Sequence, residues 1–206
     1  MTGYFHCLCA DQELASAFGE SVRGEARFAA DGTLDVIDLT VILGVIRAKR
    51  RFGAQSVANP RILATLVKLE RLFEREYPIN RNRPANCAPA MGRYADDRYF
   101  GGGAYYFSTL ATAQFYYCLA ETAAAGAEIV IAAENRTILA ELLGEKPETL
   151  GIDRLPPIYR ARLSRGLLDR GDMFMAIVRR YIPDSREMAE QFSQIDGAPA
   201  SAKNLT

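Results

Sequence analysis

Asn59-Pro60 and Pro78 bracket a run in which Ile62, Leu66, Leu69, Phe73 and Tyr77 recur at helical spacing. An asparagine side chain accepts a helix's first amide protons, proline fits the first helical position, and a second proline stops the helix. The run therefore reads as a capped amphipathic helix. Arg61, Lys68, Arg71 and Arg75 fall off the stripe, on the face left to water. Three further segments have the same character. One, capped by Thr33 or Asp35 and running to about Lys49, is apolar on nearly every face from Val36 to Ile46, as buried helices are. Another runs from Ala104 to Ala124, with Phe107, Ala111, Phe115, Cys118 and Thr122 on one face. A third lies between Pro157 and Tyr181, with Leu163, Leu167, Phe174, Val178 and Tyr181 aligned and Gly171-Asp172 as a candidate interruption. Ala127 to Leu143 reads as one more helix, with a short strand at Ile129-Val130-Ile131 as the alternative. The class these segments predict is all-α.

The chain has 206 residues, 49% hydrophobic and 24% charged, which suffices for a buried core. Lys and Arg number 25 against 25 Asp and Glu, so no net field recruits nucleic acid or an anionic membrane. No apolar run reaches the length of about 18 residues that a membrane helix needs. Met1 to Ala10 lacks the basic flank and apolar stretch of a signal peptide, so the chain as written is expected to be cytoplasmic. Cys7, Cys9, Cys87 and Cys118 have no zinc-site spacing and read as free thiols with packing roles; no metal or cofactor is expected. His6 is the sole histidine, which removes Ser-His-Asp and Cys-His chemistry unless a residue near the N-terminus serves.

The connections say more about function than the helices. Ile79 to Gly103 and Ile182 to Ala200 are too long and irregular for helix turns, and such stretches in compact domains tend to be functional. If the helices alternate up and down, both emerge on the same rim. The first holds Gly92-Arg93-Tyr94-Ala95-Asp96-Asp97-Arg98-Tyr99-Phe100. Charged groups bond hydroxyls strongly and aromatic faces pack on sugar C–H surfaces, so Arg93, Asp97, Tyr94 and Tyr99 suit a polyhydroxylated ligand. Gly101-Gly102-Gly103 lacks the Lys-Ser/Thr of a phosphate cradle and reads as the entry to the next helix. The second connection holds Arg186-Glu187-Met188-Ala189-Glu190-Gln191-Phe192, where a carboxylate beside an amide can hold and deprotonate a water. A glycosidase needs two carboxyl groups about the scissile bond; Asp96, Asp97, Glu187 and Glu190 are the candidates, and spacing does not choose among them.

Both loops resemble the glucoamylases, glycoside hydrolases of family 15. Ala90 to Tyr99 is similar to their Gly-Arg-Tyr-x-x-Asp-x-Tyr loop and runs straight into Gly101-Gly102-Gly103-Ala104-Tyr105-Tyr106-Phe107, as in bacterial members. Leu34-Asp35 through Asp38 to Ile42-Leu43-Gly44, and Tyr77-Pro78-Ile79-Asn80, fit the same family. Met188 to Gly197 resembles its last catalytic loop, and Ser201 to Thr206 the start of its final helix. The likeness covers roughly Leu34 to Thr206; residues 1–33 form a poorly matching segment.

The resemblance implies the C-terminal half of a catalytic domain, truncated at its end. The implied fold is a partial (α/α)6 toroid, a six-hairpin glycosidase-like ring with about half of the barrel present. It implies removal of glucose from the non-reducing ends of starch-like α-glucans, with inversion, the substrate being an α-glucan or malto-oligosaccharide. By position Glu190 corresponds to the general base. Arg93 and Asp97 correspond to sugar-bonding groups and Tyr99 to an aromatic beside them, while Tyr105 takes a tryptophan's place in fungal members and Gln191 adjoins the base. The general acid belongs to a Trp-Glu-Glu-like loop that this sequence does not contain, so the chain alone is expected to be inactive, and an intact form could be secreted or periplasmic. The alternative is a non-catalytic helical fragment or carbohydrate-binding remnant.

Overall fold

The computed structural model describes residues 38–50, 53 and 55–201. Outside them lie the expected caps Thr33 and Asp35, the stretch 34–37, the 1–33 segment with His6, Cys7 and Cys9, and the helix start beyond Ser201.

Five helices of two turns or more carry the described part. α1 is Thr40–Ala48, α2 Pro60–Glu76, α3 Tyr106–Ala124, α4 Arg136–Leu143 and α5 Arg160–Tyr181. α2 forms as its sequence dictates: the Asn59 side chain accepts from the Arg61 amide at 2.9 Å, and Leu66, Leu69 and Phe73 are wholly buried. Pro78 ends α2 and then opens a single turn, Pro78–Arg81, because proline is as acceptable at a helix start as it is disruptive inside one. α1 begins where the Asp38 carboxylate accepts from the Thr40 amide at 2.8 Å.

α3 departs from expectation. It is buried on most of its circumference, including Ser108, Thr112, Tyr116 and Ala120, whereas Phe107 on the expected face is 38% exposed. Its most extensive partner is α5. α5 is continuous through Gly171, which is there for space: a Cβ on it would lie 2.5 Å from the Tyr117 ring. Of the 127–143 segment only Arg136–Leu143 is helical, and residues 129–131 form an isolated bridge in place of a strand. Val130 bridges Arg154 as antiparallel backbone, then the buried Asn135 side chain bonds Ala132 N and Val130 O and α4 starts.

One contiguous core runs from Leu39 and Ile42 through Leu69, Phe115, Leu139 and Leu167 to Phe174 and Phe192. Each large apolar side chain buried there contributes about 1.5–3 kcal/mol. Inside it lies a polar knot. Glu70 of α2 accepts from the Tyr116 hydroxyl of α3 and from the Arg170 guanidinium of α5, and Tyr116 stacks on Phe174 at 5.8 Å. Burial pushes the Glu70 carboxyl up more strongly than Arg170 and Tyr116 pull it down. Cys87 is buried and Cys118 half-buried, both as free thiols. Among the described residues, no helix is long and apolar enough to cross a membrane.

Candidate active site

The first long connection is irregular in path but pinned throughout. Buried Asn80, at the close of the Pro78–Arg81 turn, donates to Phe73 O at 2.9 Å and Ala90 O at 3.0 Å, and accepts from Ala90 N at 2.7 Å. Met91 N donates to Thr109 Oγ1, Tyr105 N to Met91 O, and Leu39 N to Arg93 O. The loop is thus held to α2, α3 and the start of α1 before it reaches its charged residues.

There Arg93 and Asp97 form a two-pronged pair, Nε to Oδ2 at 2.7 Å and Nη2 to Oδ1 at 2.8 Å. Two parallel charge-assisted bonds fix direction as well as distance. Asp97 also accepts from the Tyr105 hydroxyl at 3.1 Å and the Tyr99 amide at 3.0 Å. Burial alone would raise its pKa, but these donors, Arg93 foremost, hold its carboxyl below the usual aspartate range. The Asp97 bond in turn keeps Arg93 charged, and Tyr105, buried and bonded to a carboxylate, is shifted upward. The rings of Tyr94, Tyr99 and Tyr105 lie around the guanidinium, with centroids 4.8 to 5.2 Å from Cζ. The pair is asymmetric: the Arg93 side chain is 30% exposed and that of Asp97 is 1%. Arg93 therefore faces outward and Asp97 stands behind it.

The second long connection comes to the same place. Gln191–Phe192 pairs antiparallel with Ala104–Tyr105, Gln191 opposite Tyr105, and the Tyr106 amide approaches Glu190 O at 3.4 Å. Phe192 packs between Tyr106 and Tyr181 at 4.7 and 5.2 Å, fixing the strand on the ends of α3 and α5. The Gln191 side chain donates to Tyr99 O at 3.1 Å and its amide to Ser201 Oγ at 2.9 Å. The two connections thus meet on one rim through backbone pairing and side-chain bonds.

Four carboxylates were left open by spacing, and the structure separates them. Asp97 is committed to Arg93, and Asp96 is exposed on the wall of a cleft of about 320 Å³ shared with Glu76, Tyr77, Arg98 and Gln194. Glu187 is exposed, and Glu190 is half-buried at the entry to the paired strand. Of the residues expected to meet a sugar, Arg93 and Tyr99 are accessible, whereas Tyr105 and Gln191 are wholly buried. Phe100, which the sequence reading passed over, is exposed in a left-handed conformation (φ 47°) with its ring edge-on to Tyr99 at 4.7 Å. That conformation costs an L-residue roughly 1–2 kcal/mol. Asn80 and Gln194 were also missed as supports; each sits in a motif quoted above, but nothing in its immediate sequence marks it as a buried or bridging side chain.

The family model for Glycosyl hydrolases family 15 matches residues 10–206. The chain belongs to that family. Glucoamylase P of Amorphotheca resinae is 31% identical over 159 residues, covering 74% of this chain and 24% of the relative. A Neurospora crassa glucoamylase is also 31% identical, over 132 residues, 64% of this chain and 21% of its own length. The chain thus spans about a quarter of the length of such family 15 relatives. The Hormoconis resinae glucoamylase structure superposes with a TM-score of 0.72 at 26% identity, covering 82% of this chain and 30% of that one. The Saccharomycopsis fibuligera glucoamylase gives 0.71 at 20% identity, a likeness of fold. The helices described above are accordingly part of a family 15 (α/α)6 toroid, and the rim where the two connections meet belongs to it.

Proposed function

We propose that this chain supplies the general base and part of the sugar cleft of an inverting, exo-acting α-glucosidase of the glucan 1,4-alpha-glucosidase type, acting on α-glucans or malto-oligosaccharides. The observation that carries the reading is the join between the two connections: Gln191 beside Glu190 bonds Tyr99 O, and its strand partner Tyr105 bonds Asp97. Membership of family 15 supports reading that join as part of a sugar cleft.

In this reading Glu190 takes the proton of an attacking water, and Arg93 and Tyr99 meet the sugar. Asp97, Tyr105 and Gln191, being buried, reach it through Arg93 and the turn at Tyr99, or directly once neighbouring groups move. The proton for the departing oxygen comes from a carboxylic acid outside these 206 residues, about 6.5–9.5 Å from Glu190 so that a water fits on the far face of the ring. The test joins this chain to the N-terminal part of a family 15 catalytic domain and measures glucose release from maltose. Glu190→Gln is expected to cost roughly 10²–10⁴-fold in kcat. An unchanged rate removes Glu190 from the role. Maltose binding by the joined protein without any hydrolysis favours the carbohydrate-binding reading instead.

A further inference from the structure

We infer that Gln194 is a positioning residue, the clamp that sets the Glu190 loop at a fixed distance from the Arg93–Asp97 loop. Its side-chain amide donates to Gly102 O at 2.8 Å and Gly101 O at 3.3 Å, two carbonyls of the turn that follows Tyr99. Its own backbone carbonyl accepts from Ile79 N at 2.9 Å, so one residue ties the Pro78–Arg81 turn, the aromatic turn and the base loop together. It can do this because the tail of the base loop is rigid. Ser193 N donates to Ala198 O at 2.7 Å and Gly197 N to Ser193 O at 3.0 Å, closing a tight turn with Gln194 inside it.

The route from Gln194 to the charged pair is short. Gly102 has a φ of +75°, and a Cβ on it would lie 2.2 Å from Asp97 O and 3.4 Å from Gln194 Nε2. Gly102 is therefore packed between the Asp97 backbone and the Gln194 amide, and a displacement of one side is passed to the other. Gln194 also lines the cleft beside Asp97. A residue holding two backbone carbonyls with one amide nitrogen needs donors and length rather than a particular head group. Lysine has both, whereas methionine has the length alone.

The effect on sugar binding rests on the function proposed above; the coupling between the loops does not. Both are measured on the 206-residue chain, the coupling by exchange of the Arg93 Nε proton bonded to Asp97 and the sugar by titration with maltotriose. In Gln194→Met the Arg93 proton is expected to exchange at least tenfold faster and maltotriose to bind about tenfold more weakly, the loss of two neutral hydrogen bonds. Gln194→Lys is expected to restore both, with melting temperatures of all three proteins within a few degrees. Unchanged Arg93 exchange in Gln194→Met, or equal losses in the methionine and lysine variants, overturns the inference. If the unaltered chain shows no maltotriose binding, the functional reading is judged on the joined protein described above, and the clamp on Arg93 exchange alone. If maltotriose binds equally to the unaltered chain and Gln194→Met, the clamp plays no part in ligand recognition and the inference falls while that reading stands.

Discussion

Asp97 is the residue on which the site turns, since four donor atoms converge on it and three tyrosine rings surround its partner Arg93. Removing its charge in Asp97→Asn leaves the guanidinium without its two-pronged acceptor, and maltose affinity is expected to fall about tenfold or more, as for charge-assisted bonds worth roughly 1.5–3 kcal/mol. The same substitution has a pH signature. Asp97 is held below its unfolded value near 4. Its contribution to stability is therefore complete above pH ~4 and is lost as pH falls through the lower native value. Urea unfolding of the natural and Asp97→Asn chains should differ most above pH ~5 and converge in acid; a constant gap would deny Asp97 its depressed pKa. At this scale much was legible in advance, because Arg93 and Asp97 lie four residues apart in a recognisable motif. Which of the two faces outward was not, since exposure depends on Tyr105 and Gln191 arriving from elsewhere in the fold.

Helices α2, α3 and α5 are pinned together by Glu70, Tyr116 and Arg170, one from each. Removing one member of a buried ion pair leaves the other charge stranded, so Arg170→Met should cost about 3–5 kcal/mol in urea unfolding. Glu70 is already raised in the native state. Without Arg170 it rises further, and the deficit grows as pH increases above the ordinary glutamate value, where the unfolded chain ionises freely. Adding Glu70→Leu should recover most of the loss, as apolar replacements of buried pairs do. A double variant as unstable as the single would mean that the pair carries net stability of its own. This knot was illegible in the sequence. Glu70 looks like one more polar residue beside a leucine stripe, and Arg170 like one of many arginines on α5. α3 misled for a related reason: small and hydroxyl-bearing residues such as Ser108 and Thr112 pack as tightly as leucines when a neighbouring helix comes close, so periodicity of large side chains marks only part of its buried surface. The limits of α2, with cap and stop in agreement, were read correctly.

For the molecule as a whole, the described residues leave Ile158 85%, Ile195 73% and Ile152 60% exposed. Ile152 and Ile158 flank the extended run that leads into α5. A chain that forms only part of a ring presents surface that the remainder of the ring would cover, and exposed apolar side chains in number favour self-association. The isolated chain should therefore show a sedimentation mass that climbs with concentration, and Ile152→Lys with Ile158→Lys should lower it; a monomer at all concentrations would mean that this surface is already satisfied. Ring architecture was legible only through the resemblance, because helix periodicity reports which face is buried and not against what.

The bond from Gln191 to Tyr99 O spans 92 residues of chain. A ribosome adding residues at roughly 5–20 per second delivers the second partner roughly 5 to 20 s after the first. During that interval the arginine and its aspartate are already neighbours, while the buried places of Gln191 and Phe192 stand empty. For those seconds a newborn chain lacks the strand that closes the rim, and that is the window in which a chaperone or a protease is expected to have access to it.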